Sequence, residues 1–302
     1  MFWRTGPKTV IVELTNRCNL KCRMCSIWEE HPKRDFDIRL FKHLVMDPSM
    51  RGVRCLAFTG GEPFLIPSLQ GYYRIAQTYL PNAYVSVSSN GYDTKRILSF
   101  LRHVNPRRTS VTLSFDGLRS HDRIRCVRDS RKILELTARK IRQDFPRIPL
   151  ILKFTITPWN RNELMETALY AQQLKILFHV KMMEELPIYH NRAHRLRLPT
   201  MKGNEKNQGL TTQLKKAVDC GLVANRRYAK RLLQPKKFLS CPWPSTTLFV
   251  GLNGNVYLCR KKPLIGDLGQ TGLSEILTSQ RCDLVKSQMK KCGVNPCASY
   301  HP

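Results

Sequence analysis

The sequence predicts an α/β protein, a partial (β/α)6 TIM-like barrel followed by a small C-terminal domain with a β-hairpin. Three observations carry this expectation. Six apolar, β-branched runs recur with room for a helix between neighbours. Polar clusters follow four of those runs, and three of the four carry glycine. Near the C-terminus, two short apolar runs flank Asn253-Gly254, a pair that tolerates positive φ and marks a hairpin.

In order, the strand-like runs are Val10 to Leu14, Cys55 to Thr59, Tyr84 to Ser88, Ser110 to Phe115, Leu150 to Ile156 and Leu177 to Met183. Helix-like stretches lie between them: Ile38 to Met46, Ser68 to Leu80, Thr94 to His103, Arg131 to Gln143 and Asn162 to Leu174. Such alternation argues for a parallel sheet with crossover helices, as an open doubly wound sheet or a barrel. Six repeats suggest the partial barrel, over residues 1–190. The stretch from 191 to 240 is basic, helical in part and without strand rhythm, and reads as a bridge. Residues 241–302 read as a cysteine-bearing domain with the hairpin Leu248 to Val250 and Val256 to Leu258.

The chain has 302 residues, long enough for one barrel-sized domain and an appendage. Hydrophobic residues at 42% and charged residues at 24% fit a folded globular protein. No apolar run approaches membrane-spanning length. Met1 to Lys8 lacks the apolar core of a signal peptide, so a cytoplasmic protein without a membrane partner is expected. About nine residues precede the first strand, so no recognition domain is expected there. Eleven cysteines in such a chain point to metal or cluster ligation rather than disulfides. A net charge of +29 favours anionic partners, such as RNA, acidic peptides or phosphorylated metabolites. The basic residues are scattered, and no nucleic-acid module is visible.

The sharpest signal is Cys18-Asn19-Leu20-Lys21-Cys22-Arg23-Met24-Cys25, directly after the first strand. Three thiols in one loop can grip one face of a cuboidal cluster and leave one iron open for an exchangeable ligand. Zinc would want a fourth Cys or His nearby, and His31 is the close candidate. Thr59-Gly60-Gly61-Glu62-Pro63, Ser89-Asn90-Gly91 and Ser114-Phe115-Asp116-Gly117 end the second, third and fourth strands. In parallel β/α folds that edge is where ligand sites form. Gly60 and Gly61 let main-chain groups approach a small zwitterion, and Asp116 could accept hydrogen bonds from ribose hydroxyls.

Through CxxxCxxC at Cys18, Cys22 and Cys25 and GGEP at Gly60 to Pro63, the first 190 or so residues resemble the radical S-adenosylmethionine superfamily. The resemblance implies that the three thiolates hold a 4Fe-4S cluster whose open iron chelates S-adenosylmethionine. It places Gly60, Gly61 and Glu62 at the methionine amino group, Ser89, Ser114 and Asp116 at the ribose or carboxylate, and the Met24 backbone at the adenine. Asn90 is counted with the cofactor site, and Arg125, in His121-Asp122-Arg123-Ile124-Arg125, helps place the cofactor. Electron transfer to the sulfonium, from a flavodoxin- or ferredoxin-type donor, would release a 5′-deoxyadenosyl radical that abstracts hydrogen from a substrate. Cys126 stands where many relatives carry glycine. It is a candidate thiol near the site or an ordinary buried cysteine.

Cys241, Gly254 and Cys259 fit CxnGxxxxC, and Cys292 and Cys297 follow. This is similar to SPASM and twitch domains and implies that Cys241, Cys259, Cys292 and Cys297 hold one auxiliary 4Fe-4S cluster, with zinc on the same thiols as the alternative. SPASM domains usually carry seven cysteines and a CxxC, whereas Cys292 and Cys297 have four residues between them, so a single cluster of the twitch kind is the expected count. Cys282 could replace Cys292. Glu184 and Glu185, after the sixth strand, are candidates for substrate contact or proton transfer. Peptide modification, by oxidation, epimerisation or cross-linking, is the leading expectation. A carbohydrate, nucleoside or tRNA substrate is the alternative, and a zinc-bearing RNA-binding protein is the rival of another class.

Overall fold

The structure of the chain, a computed structural model, describes residues 6–183, 205–234 and 246–290. Six parallel strands come first: β1 (Thr9–Glu13), β2 (Cys55–Thr59), β3 (Tyr84–Ser89), β4 (Thr109–Ser114), β5 (Leu150–Ile156) and β6 (Leu177–Met182). They lie side by side in chain order. A doubly wound sheet would reverse that order partway, so the alternation builds a partial barrel. Between the strands run α1 (Ile38–Met46), α2 (Leu69–Tyr79), α3 (Thr94–Leu101), α4 (His121–Arg125), α5 (Ser130–Asp144) and α6 (Leu164–Gln173).

Local chemistry starts these helices. The Asp37 carboxylate accepts from the Arg39 and Leu40 amides at 2.7 and 2.9 Å, which caps α1. Asp93 does the same for Arg96 at the start of α3. The outward face of the strands is apolar, with Val10, Val12, Leu56, Phe58, Val85, Val87, Leu152 and Phe154 all buried under the helices. Phe41 of α1 packs edge-on against Phe58 and Tyr72, with centroids 5.8 and 5.2 Å apart.

Two helices close the free side of β6. They are α7 (Glu205–Asp219) and α8 (Arg226–Leu233), within the stretch expected to be a bridge. The Asn225 amide accepts from Val180 N–H at 3.0 Å and donates to Val180 O at 2.8 Å. Ala224 N–H donates to Phe178 O at 2.8 Å, and Met182 N–H donates to the Tyr228 hydroxyl at 3.0 Å. The backbone groups that β6 would otherwise leave unpaired are thereby satisfied.

At the other side, β7 (Thr247–Val250) pairs in parallel with β1. It turns into antiparallel β8 (Asn255–Tyr257) and then β9 (Gly266–Asp267), followed by α9 (Leu273–Thr278) and α10 (Gln280–Lys290). The hairpin therefore extends the barrel sheet. Its turn spans Gly251 to Gly254, longer than the two-residue turn expected, and Gly254 adopts φ +85°. Asp47, at the end of α1, accepts from Ser274 N–H at 3.0 Å and fastens α9 to the barrel.

Candidate functional site

The loop between β1 and α1 is cinched at its base. Asn16 donates to Pro32 O at 3.0 Å and accepts from Arg34 N–H at 2.8 Å, while the Lys33 ammonium reaches the carbonyls of Asn16, Ile27 and Trp28. This holds Cys18, Cys22 and Cys25 at the mouth of a cavity of about 170 Å³ at the C-terminal edge of the strands, and all three line it. Gly61 N–H donates to Thr15 O at 2.6 Å and Glu62 N–H to Arg17 O at 2.7 Å, so the Gly60-Gly61 turn lies directly on the cysteine loop. A Cβ at Gly61 would overlap the Arg17 carbonyl, and Gly60 has φ +138°.

Met24, Gly60, Gly61, Ser89, Asn90, Ser114 and Arg125 share this cavity. Glu62 and Asp116 lie behind its wall. The Glu62 carboxylate accepts from Ser89 Oγ at 2.9 Å, Asn90 N–H at 2.7 Å and Phe64 N–H at 3.2 Å, joining the ends of β2 and β3. Burial pushes its carboxyl up to about 7. Asp116, fully buried, pairs with Arg125 at 2.6 Å and accepts from Thr155 N–H at 3.3 Å. It acts on the cavity through Arg125 rather than facing it. His121 accepts from Asp116 N–H at Nδ1, 3.1 Å away, and burial lowers its pKa well below the imidazole range. Arg125 donates to Cys22 Sγ at 3.5 Å. Burial opposes its charge, but Asp116 and Cys22 outweigh that and hold its pKa above the ordinary value.

Cys126 is neither a core thiol nor part of the cavity lining. It is exposed, in the left-handed region at φ 57°, where it ends α4. That position favours glycine because a Cβ crowds the next carbonyl. Cys259 is buried beyond β8, and Cys282 is buried in α10. Glu184, Glu185, Cys241, Cys292 and Cys297 lie outside the described residues. Thr59, from the glycine-bearing cluster after β2, also lines the cavity, as do Ser88, Lys153, Thr155 and Lys181, to which the sequence assigns no role. Their signal was there: a strand buried on both faces reads as continuously apolar, yet these strands alternate polar with apolar.

The residues present fit an iron-sulfur group. Burial pushes the Cys18 thiol up to about 11 and Cys25 up to about 12, and raises Cys22. Three thiolates therefore need a cationic centre in their midst. Arg125 Nε is buried without a hydrogen-bond partner among the described residues, an open donor for an anion at the same wall.

A cysteine loop on a glycine turn, at the strand-end edge of a partial barrel, defines the class of iron-sulfur barrel enzymes. The chain belongs to the Radical SAM superfamily, whose model matches residues 12–171, and an iron-sulfur cluster-binding SPASM domain matches residues 241–299. Radical SAM domains bind a 4Fe-4S cluster and S-adenosylmethionine, and SPASM domains bind auxiliary iron-sulfur clusters. This enzyme superfamily membership displaces the reading as a non-catalytic zinc protein.

GTP 3′,8-cyclase of Streptomyces coelicolor is 30% identical over 107 residues, covering 34% of this chain and 31% of the relative. Sporulation killing factor maturation protein SkfB of Bacillus subtilis is 29% identical over 167 residues, 53% of this chain and 38% of the relative. The chain thus spans about a third of the length of these curated relatives. Streptococcus suis SuiB bound to S-adenosylmethionine superposes with a TM-score of 0.68 at 14% identity, covering 91% of this chain and 66% of SuiB. That likeness is one of fold. No helix among the described residues is long and apolar enough to cross a membrane.

Proposed function

We propose that Cys18, Cys22 and Cys25 hold the 4Fe-4S cluster, and that S-adenosylmethionine lies in the adjoining cavity for hydrogen abstraction from a residue of a peptide. The observation that carries this is the shared cavity: three thiols, the Gly60-Gly61 turn and the Arg125 guanidinium all line it. When bound, the cluster and S-adenosylmethionine supply reductive cleavage of the sulfonium to a 5′-deoxyadenosyl radical. The chain's own residues do the rest. Arg125, kept charged by Asp116, offers its open Nε to the cofactor carboxylate. Ser89, Asn90 and Ser114 present polar groups along the same wall, and Glu62 sets the height of Ser89 and Asn90. Met24 carries the adenine side of the loop. The barrel wall and the cinched loop keep bulk water from a reactive carbon centre.

A peptide substrate draws support from two neighbours: SkfB is named for maturation of the sporulation killing factor, and SuiB is also seen bound to precursor peptide SuiA. Net oxidation, epimerisation or cross-linking would suit an auxiliary cluster on Cys241, Cys259, Cys292 and Cys297 that takes an electron from the substrate. A cytoplasmic flavodoxin or ferredoxin is the proposed donor, and Glu184 and Glu185 remain the proposed substrate-facing acids. Anaerobically reconstituted protein should carry about eight irons and form 5′-deoxyadenosine with dithionite. Cys22→Ala should form none while keeping its circular dichroism. Cleavage by that variant would refute the assignment.

A further inference from the structure

A closed β/α barrel fills its interior with branched apolar side chains. Here the inward positions carry hydroxyls and amines, and beneath the cysteine loop they enclose a cavity of about 260 Å³. It adjoins the cysteine cavity, with which it shares Thr59, Ser88, Lys153 and Lys181. Three cationic side chains from three elements line it: Lys153 on β5, Lys181 on β6 and Arg260 just beyond β8. Among the described residues that line it, none is acidic.

The Lys153 ammonium makes no hydrogen bond or ion pair among the described residues. Burial, with Lys181, Arg125 and Arg260 nearby, pulls its ammonium down to about 7. His179, also in the lining, is lowered to about 4 by burial and then by Lys153, and so stays neutral. Like charges gathered in a largely buried, low-dielectric space repel one another, and a bound anion turns that cost into binding free energy. The charges also face the place where a substrate must wait, directly under the cofactor cavity.

We propose that this lumen is the substrate pocket, and that Lys153, Lys181 and Arg260 grip an anionic group of the substrate, the carboxylate of an acidic residue in a peptide. The proposal rests on the peptide-modifying reading above and narrows it: acidic residues enter, neutral and basic ones do not. A β5 lysine beside a β6 lysine fixes one side of the anion, and Arg260, from the C-terminal hairpin, fixes the other.

The test is lysine acetylation with acetic anhydride on the anaerobic, cluster-loaded full chain, mapped by mass spectrometry at fixed ionic strength. N-acetylaspartylglutamate is the carboxylate probe, inorganic phosphate the phosphate probe, and chloride the control. The carboxylate probe should slow acetylation of Lys153 and Lys181 by about threefold or more once it exceeds its Kd. Exposed Lys42 and Lys132 should be unaffected. Protection of Lys181 should be lost in Arg260→Gln. Protection by phosphate alone would uphold the anion site yet overturn the peptide source and, with it, the peptide reading. Protection by neither probe, or equal protection of Lys42, would overturn the anion site and leave the peptide reading standing.

Discussion

Arg125 Nη2 lies 2.6 Å from Asp116 Oδ2, and the same guanidinium reaches Cys22 Sγ at 3.5 Å. A charge buried between a carboxylate and a thiol is tolerable only with both partners present. Asp116→Asn should cost about 3 kcal/mol, because it leaves Arg125 buried and uncompensated. Urea unfolding would show the loss. Calorimetric titration with S-adenosylmethionine should show weakened binding in the same variant, and unchanged stability would remove the pairing from any structural role.

Glu13 gives the protein a pH signature. It is buried at the end of β1, accepts from Leu252 N–H at 3.3 Å, and burial pushes it up to about 7 from an ordinary 4.5. With its folded-state pKa raised, the folded protein holds a proton that the unfolded chain has released. Stability from this group is full below pH 4.5 and falls as pH rises through 7. The whole excursion amounts to about 3 kcal/mol at most. Denaturation midpoints at pH 5.5 and 8 should differ less in Glu13→Gln than in the parent, and equal slopes would contradict the shift.

The Gly61 turn should govern metal loading without touching metal. In Gly61→Ala the new methyl meets the Arg17 carbonyl, so the cysteine loop must move, and reconstituted iron should fall to about half or less of the parent value. Gly209→Ala is the contrast. No atom lies within 4 Å of its added Cβ, and a helical Gly→Ala exchange should stabilise by about 0.5–1 kcal/mol with iron unchanged.

Cys126→Gly should raise stability by about 1 kcal/mol, since it relieves a left-handed non-glycine residue at the end of α4. Iron content and cofactor cleavage should be those of the parent. Loss of cleavage would restore this thiol as a participant in the chemistry.

Periodicity found the strands because their outward faces, Val10, Val12, Val85 and Val87 among them, must be apolar to meet helices. It found α1 to the residue, since Phe41, Leu44 and Val45 recur at helical spacing behind an Asp37 cap. It missed α4, five residues held from outside by Glu163, which accepts from Arg119 N–H at 2.8 Å and from Ser120. Composition at strand ends located the cavity but not who faces it. Asp116 and Glu62 look like ligand contacts in one dimension, yet each is turned to a protein partner, Asp116 to Arg125 of α4 and Glu62 to Asn90 at the end of β3. Cys126 looked like core because thiols usually are, whereas the backbone turn at the end of α4 put it in solvent.

The parallel seam between β1 and β7 has a temporal side. Glu13 and Leu252, joined across it, stand 239 positions apart in the chain. A ribosome needs roughly 10 to 50 seconds to travel that distance, so β1 must wait, half-zipped, for β7. A nascent chain of this design would rely on chaperones during that interval, and expression at lower temperature with them present should improve the soluble yield.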